Sequence, residues 1–364
     1  MQLTKYKLGE LIVQRREKNK DYDLPIRGVS KEGFIKPKVE EADTSIYNVF
    51  YKNDFVFNPA RMELNSIALN LDLDKALCSS LYEVFYVKDE NVVLPEFLNL
   101  HIKRDEFARH CDYIGLGSAR EYCRFANIAE FDIKIPPIDV QREIVQADRQ
   151  IKRRIRLNEQ MIEKLEATAQ TIYRKMFVDG IDKENLPEGW RMGALGEVAN
   201  CYDFKRRPLS EDERKPMKGI YPYYGAMSVV DHINQYIFDG TFLLFSEDGA
   251  NVIDEYGHPA LQYLWGKFWV NNHAHVLQGN EIVSTEYLYM ALKEVNATHL
   301  VTGAAQPKIN QENMNSIPLV IPPTEEMTKY NEFMKPIFSY YKLATEENSK
   351  LFELQSLLLA KMGN

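Results

Sequence analysis

The groupings of side chains from which this chain could build chemistry are few, and each has a simpler reading. Asp132-Ile-Lys134 has the bare spacing of a nuclease carboxylate–lysine pair. Set among Phe131, Ile133 and Ile135, it reads instead as the exposed face of an alternating strand. His273 and His275 stand two apart, which on a strand places both on one face as a metal pair requires, but no third ligand accompanies them. Asn58-Pro59-Ala60-Arg61 approaches an amino-methyltransferase motif. It lacks the second proline and the aromatic that would sandwich a flipped base, so it reads as a strand-end turn. Cys78, Cys111, Cys123 and Cys201 form no C-x-x-C pair, which indicates neither a zinc site nor a disulfide framework. There is no GxxxxGK[ST] loop for a nucleotide-driven motor and no glycine fingerprint for a methyl-donor site. The expectation is a chain that binds rather than reacts, with no catalytic residue and no metal ligand.

Composition narrows what it could bind. The 364 residues suit two or three domains, and no apolar run approaches the ~20 residues that cross a bilayer. The start, MQLTKYKLGELIVQRR, has no signal-peptide character, and scattered thiols fit a reducing cytoplasm. Net charge is −8, with 45 Lys and Arg against 53 Asp and Glu. Only residues 140–178 are clearly basic, with nine cations and five carboxylates. Any nucleic-acid binding must therefore use local basic clusters or draw on a partner's charge.

The elements that would position such residues come as a repeat. Ile135-Pro136-Pro137 recurs as Ile321-Pro322-Pro323, and the same shift of 186 aligns Gly117 with Gly303 and Leu165 with Leu351. It also aligns Ile172 with Leu358 and Lys175-Met176 with Lys361-Met362. Leu8-Gly9-Glu10 matches Leu195-Gly196-Glu197 at 187, and Pro25 and Gly28 match Pro222 and Gly225 at 197, so the second copy has a longer early loop. After each IPP the pattern predicts a long helix. Ile151, Ile155, Ile162, Leu165, Ala169, Ile172 and Met176 form a narrow seam of coiled-coil period, broken by Asp148 and Asn158. The second seam, Tyr330 to Met362, includes Asn348 and Gln355 and contains Pro336, where the helix should start or kink. Neither stripe is wide enough to enter a core alone, so the two helices are expected to pair.

Before each helix lie short β-like runs, Asp54–Phe57 and Tyr82–Val87, then Thr241–Phe245 and Ala274–Leu277, with one short helical stretch each, Pro95–Arg109 and Ser284–Glu294. The fold class is thus α+β, two sheet-rich modules each followed by a long helix. The expected divisions are 1–139, module one; 140–178, first helix; 179–189, linker; 190–323, module two; and 324–364, second helix.

The second module contains Tyr221-Pro-Tyr-Tyr-Gly-Ala226, Ser246-Glu-Asp-Gly-Ala250, Gly266-Lys-Phe-Trp-Val-Asn-Asn-His-Ala274 and Thr302-Gly-Ala-Ala-Gln-Pro-Lys308. Ile317-Pro-Leu-Val-Ile-Pro-Pro323 and a helix follow. In this order and spacing the chain closely resembles the specificity subunits of type I restriction–modification systems, over its whole length. In the first copy Leu24-Pro-Ile-Arg-Gly28, Cys78-Ser-Ser80 and Gly117-Ser-Ala-Arg120 stand at equivalent places, as do Gln141-Arg-Glu143 and Leu157–Glu166 in its helix. Met327 departs from the pattern, standing where a glutamine is usual.

The resemblance implies two target-recognition modules, each reading one half of a bipartite double-stranded DNA site, with the two helices paired antiparallel as the ruler between them. Such a subunit is non-catalytic and binds no cofactor itself. It docks two modification (methyltransferase) subunits carrying S-adenosylmethionine, and ATP- and magnesium-dependent restriction subunits complete the complex. A fused or methylation-only system would use the same subunit, and a coiled-coil scaffold with protein-binding β modules is the reading from a different class. For DNA contact the donor-rich and planar side chains in loops are the candidates. In module two these are Lys205, Arg206 and Arg207, Tyr223 and Tyr224, Asn271, Asn272 and His273, and Gln306 with Lys308. In module one they are Arg15, Arg16, Lys18 and Lys20, with Arg27, Arg61 and Arg120 at turns. The plainer readings are solvated loops for the charge runs and core positions for the tyrosines. The unequal copies further imply an asymmetric DNA site.

Overall fold

The computed structural model describes residues 3–20, 23–37, 43–115, 122–249, 252–303 and 306–362, which divide into two compact units. Unit 1 comprises Met1–Leu157 and Glu347–Asn364; unit 2 is Asn158–Glu346.

Unit 1 runs β1 (Thr4–Lys7), α1 (Leu8–Leu11), β2 (Ile12–Arg15), β3 (Gly28–Ser30), β4 (Gly33–Ile35), β5 (Asn48–Tyr51), β6 (Phe55–Phe57), β7 (Ile67–Leu69), β8 (Lys75–Cys78) and β9 (Glu83–Val87). Then come α2 (Pro95–Ile102), α3 (Asp105–Gly115), α4 (Phe125–Ala129), β10 (Asp132–Ile135) and the start of α5 (Ile138–Phe177). Unit 2 takes up the rest of α5, then β11 (Arg191–Ala194), α6 (Leu195–Val198), β12 (Ala199–Cys201), α7 (Glu211–Arg214), β13 (Lys218–Tyr224), β14 (Val229–Ile233), β15 (Phe238–Ser246), β16 (Leu261–Val270) and β17 (Ala274–Gly279). It closes with α8 (Thr285–Leu292), α9 (Gln311–Asn315), β18 (Pro318–Ile321) and most of α10 (Thr324–Lys361), whose last turns belong to unit 1.

The duplicated residues occupy equivalent places. β1 pairs antiparallel with β10, Thr4 opposite Ile135, and β11 pairs with β18, Arg191 opposite Ile321. The Leu-Gly-Glu triplet builds the short helix that follows each first strand. Leu8 and Leu195 are fully buried, and Glu10 and Glu197 reach back to accept the Lys7 and Ala194 backbone N–H at 2.6 and 2.7 Å. The glycine between them permits close packing: a Cβ at Gly9 would lie 2.9 Å from that of Ala129 on α4.

The sheets share one framework. In unit 2 the order is β12-β17-β15-β16-β13-β14, built on the long β15–β16 hairpin. In unit 1 that hairpin is broken into two pairs, β6 with β7 and β5 with β8, and the main sheet is β2-β9-β6-β7. Even the parallel crossing recurs, Ile26 beside Leu77 and Tyr223 beside Trp269. The β10 alternation is as expected, with Asp132 and Lys134 exposed and Ile133 and Ile135 buried.

Three expectations need correction. The stretch 95–109 is two helices, with a break at Lys103–Arg104 between α2 and α3. α10 does not start at Pro336; the helix runs through it from Thr324, because a buried face that includes Tyr330, Met334 and Phe338 holds it on both sides. The seam of α5 is also wider than its stripe suggested. In unit 2 its Tyr173 and Phe177 join Tyr287 and Tyr330 in an aromatic cluster with ring centroids 5.1–6.5 Å apart.

The helices do pair, antiparallel, within each unit. In unit 1 Arg154 meets Glu347 in a two-bonded ion pair, both contacts 2.8 Å, and Gln355 donates to Asp148 at 2.9 Å. Asn348 donates to the Ile155 carbonyl, and Val145 and Met362 enter the module-one core. In unit 2 Phe177 and Tyr330 touch at 5.1 Å. The polar residues that interrupt the first seam thus include one, Asp148, matched by a polar residue of the second.

Gln141, at the head of α5, is wholly buried. Its side chain accepts from Leu94 N–H at 3.0 Å and donates to the Val92 and Pro136 carbonyls at 2.9 Å each, tying the start of α2 to the helix. In unit 2 the equivalent Met327 is a core residue, and α8 is capped instead by its own Ser284, which accepts from Tyr287 N–H. We predict that Gln141→Met, the residue used by the other copy, destabilises unit 1 by about 1–3 kcal/mol, because Leu94 offers no side-chain cap and a buried donor loses its acceptor. A lower urea midpoint with faster Leu94 amide exchange is the expected result; unchanged exchange would show the contact to be dispensable.

Candidate nucleic-acid interface

In unit 2 four loops meet beyond one end of the sheet, and they carry most of that module's sequence candidates. They are the turn after β12 (202–207), the extension of β15 (247–249), the β16–β17 connection (271–273) and the strand-like return 306–308. Backbone bonds stitch them together: Glu247 N–H to the His273 carbonyl at 2.9 Å, Gly249 N–H to that of Pro307 at 3.2 Å, and Ile309 N–H to that of Glu247 at 2.9 Å.

Beneath the rim lies a cluster of charge that the sequence did not reveal. The Arg206 guanidinium, only 13% exposed, sits between Glu247 (2.5 Å) and Asp203 (3.1 Å) and also donates to the Ala274 carbonyl at 2.8 Å. His275 is buried, with Nδ1 2.5 Å from Asp203 and Nε2 2.9 Å from the Ile309 carbonyl oxygen. Lys308 reaches the other oxygen of Glu247 at 2.9 Å. Burial alone would raise the Asp203 carboxyl, but His275, the Val276 amide and Arg206 outweigh it and hold it below the ordinary range. Burial likewise works against Glu247, and Lys308 and Arg206 outweigh it.

The expected basic cluster 205–207 is therefore divided. Arg206 turns inward and is spent on carboxylates. Lys205 stays exposed over the rings of Tyr202 and Phe204, at 5.0 and 5.8 Å, and Phe204 is 80% exposed. Arg207 is exposed, and its carbonyl anchors Trp269 Nε1 at 2.6 Å. Tyr223 is a core residue whose hydroxyl accepts from Leu209 N–H at 2.9 Å, and Tyr224 is half-buried against Phe268. Asn271 is buried and caps the turn by accepting from His273 N–H at 2.8 Å. Asn272, His273, Gln306 and Lys308 are exposed on the rim.

The two histidines do not share a face as a pair. His273 precedes β17 and engages Asp248 at 2.8 Å, whereas His275 lies within the strand and faces inward. Cys201, Asp203 and His275 bring three potential ligand atoms within 4.8 Å of one another. Asp203 already receives the Val276 amide, His275 and Arg206, so this donor set is committed to internal bonds with a fixed cation beside it. The carboxylates Asp203, Glu247 and Asp248 were not among the contact candidates of the sequence. Glu247 and Asp248 lie in the Ser-Glu-Asp-Gly run at 246–249, and Asp203 carried no such signal.

In unit 1 the basic run after β2 also separates. Arg15 is stacked between Tyr51 and Tyr86, at 4.7 and 4.6 Å, and grips buried Asp54 with two bonds, so it is a structural residue of the sheet. Arg16 is exposed and donates to Gln14 at 2.9 Å; Lys18 donates to Asn48 at 2.7 Å; Lys20 is exposed. Arg27 and Arg61, distant in sequence, line one cavity. Arg120 lies outside the described residues.

Comparison with known proteins places this geometry in a family. A model described as the type I restriction modification DNA specificity domain matches twice, over residues 3–167 and 187–353. S.HindORF215P of Haemophilus influenzae, which carries the name of a type I restriction enzyme specificity subunit, is 35% identical over 150 residues. That alignment covers 40% of this chain and 37% of the relative. The HindI specificity subunit of the same organism is 21% identical over 80% of this chain and 82% of its own length. The crystal structure of a type I restriction–modification S subunit from M. genitalium has the same fold, with a TM-score of 0.62, 16% identity, and 100% of this chain and 96% of that chain covered. No helix among the described residues is long and apolar enough to cross a membrane. Two matches in tandem account for both modules and most of both helices, and the chain belongs to the type I restriction–modification DNA specificity family.

Proposed function

We propose that this chain is the non-catalytic sequence reader of a type I restriction–modification complex, recognising an asymmetric bipartite DNA site with one half read by each module. The observation that carries this reading is a duplicated framework with unlike loops. Both units keep the same strand pairing and the same entry helix, while the side chains beyond the sheet ends differ in kind. A scaffold protein has no need of that divergence; a reader of two different half-sites does.

In this reading the chain works in the cytoplasm and binds no cofactor. Two modification subunits dock on it and bring S-adenosylmethionine, and restriction subunits bring ATP and magnesium chemistry. The exposed rim of module two, Lys205, Arg207, Asn272, His273, Gln306 and Lys308, supplies hydrogen-bonding groups to base edges and phosphates. Arg206, Asp203, Glu247 and His275 hold the loops in place for it. The deficit of positive charge is met by partner subunits, since phosphate contacts supply affinity but carry no sequence information.

Co-expression with the neighbouring methyltransferase, followed by mapping of methylated adenines across a genome, is expected to show a bipartite motif. Exchange of residues 190–323 for those of a relative should change one half of the motif and leave the other intact. A single continuous motif, or simultaneous change of both halves, would exclude one reader per half-site.

Arg206 and Arg207 separate positioning from contact. Arg207→Ala should weaken DNA affinity of the complex several-fold with no change in thermal stability. Arg206→Ala should instead lower unit 2 stability by about 1–3 kcal/mol, because it removes the fixed cation between Asp203 and Glu247 and leaves them only His275, the Val276 amide and Lys308. The acid sensitivity follows from the same carboxylates. Both are held below their ordinary range, so their contribution is complete above about pH 4–5 and is lost as pH falls through the folded values. An acid-unfolding midpoint shifted upward in Arg206→Ala, and not in Arg207→Ala, is the expected result; identical midpoints would remove Arg206 from the positioning role.

A further inference from the structure

We infer that the cavity of unit 1 between the β3–β4 hairpin and the Asn58–Leu64 turn is an anion site, in which Arg27 and Arg61 take hold of a nucleotide phosphate. The cavity is about 640 Å³, well above what a bare phosphate fills and within the range of sites that hold a nucleotide. Among the described residues four cations line it, Arg27, Lys31, Lys36 and Arg61. Among the same residues its lining contains one carboxylate, Glu32, which is turned onto the Ser30 hydroxyl at 2.8 Å.

Arg15, Arg104, Arg124, Arg142, Arg149 and Arg154 of unit 1 each meet a carboxylate. Arg16, Arg109, Arg153 and Arg156 are exposed, meet none among the described residues and do not line the cavity, so what sets Arg27 and Arg61 apart is that they share one concavity. Among the described residues Arg27 and Arg61 meet none, and the Arg27 guanidinium donates to the neighbouring Ile26 carbonyl at 2.9 Å. In a chain with eight more carboxylates than cations, two such arginines gathered in a concavity create local positive potential where the molecule otherwise has little. Guanidinium groups bind phosphate oxygens through two parallel bonds, and Tyr47 and Tyr82, both half-buried in the lining, offer ring surface for the remainder of a nucleotide.

The duplication points to the same place independently. Ile26 crosses Leu77 as Tyr223 crosses Trp269, so Arg27 and Gly28 stand where Tyr224 and Gly225 stand in unit 2. Ser79, which follows β8 and lines the cavity, stands where Asn271 follows β16. The cavity therefore lies, in module one, where Tyr224 and Asn271 stand in module two, at the base of the loop that carries Asn272 and His273 onto the rim. The phosphate is either one of the bound DNA or that of a free nucleotide. The DNA alternative rests on the proposed function.

Two measurements on the full chain decide the matter. For the chain assembled with its modification subunits, affinity for the duplex identified by methylation mapping is measured against salt. The double variant Arg27→Ala, Arg61→Ala should flatten the log–log salt dependence by about 0.9 for each phosphate no longer neutralised. The charge-preserving Arg27→Lys, Arg61→Lys should keep the wild-type slope, and it guards against misfolding of the alanine variant. Separately, AMP is titrated into the full chain without DNA. A flattened slope assigns the cavity to DNA. An unchanged slope with AMP binding that the alanine variant abolishes assigns it to a free nucleotide. If neither quantity responds while the wild-type complex binds its duplex, the anion site is refuted and the proposed function stands. If the wild-type complex binds no bipartite duplex, the proposed function falls, and the AMP titration still decides the cavity.

Discussion

Two helices of 40 and 38 residues, each with a buried face along much of its length, impose the constraint on which the rest of the chain depends. A helix of that length extends about 60 Å, further than one module of this size can cover, so it must find partners along its whole extent. This chain solves the problem by giving each helix to both units: the division falls at Leu157/Asn158 in the first and at Glu346/Glu347 in the second. The N-terminal part of α5 and the C-terminal part of α10 complete the core of unit 1, through Val145 and Met362. The C-terminal part of α5 and the N-terminal part of α10 complete that of unit 2, through Ala169, Tyr173, Phe177, Tyr330, Met334 and Phe338. Antiparallel pairing follows, because only that direction lets each unit receive one helix leaving it and one returning.

Register is then the quantity that must be specified. An all-apolar seam of period 3.5 would tolerate a slip of one heptad at little cost. The contacts Asp148–Gln355 and Arg154–Glu347 oppose it, since a slip breaks both, and in the direction that sets Met362 opposite Asp148 it buries the carboxylate against an apolar partner. What looked in the sequence like flaws in the stripe are the residues that hold it in one alignment.

The parts legible in the sequence were those governed by local periodicity. The seam of the first long helix repeats at 3.5 residues and β10 alternates at two, the strands at 83–87 and 274–279 are short β-rich runs, and for these short-range pattern was enough; the duplication showed as a constant shift of 186. What was not legible depended on contacts between distant segments. Arg206 reads like Arg207 until Asp203, Glu247 and Ala274 are brought around it. Arg15 reads as a solvated cation until Asp54, Tyr51 and Tyr86 enclose it. Gln141 carried a clue, because its counterpart Met327 broke the pattern. The physical reason, a backbone amide at Leu94 that needs an acceptor, is visible only once the start of α2 lies against α5. The lesson is specific to charge: in a chain with more carboxylates than cations, most arginines find internal partners, and sequence cannot say which remain.

That inequality bears on how the two modules would read. In module two the rim cations stand beside carboxylates, Lys308 with Glu247 and His273 with Asp248. A carboxylate near DNA opposes phosphate binding, and its gain is selectivity, since it accepts from a cytosine amino group and repels the acceptor edges of guanine. In module one the cavity holds serine hydroxyls and arginines that meet no carboxylate among the described residues, a surface suited to grip and less to discriminate. A bipartite reader built this way would divide its labour. One half would anchor the complex through charge, with steep salt dependence, and the other would discriminate through compensated hydrogen-bonding groups that add little net attraction. The charge of the chain as a whole would then be a consequence of how the second module reads.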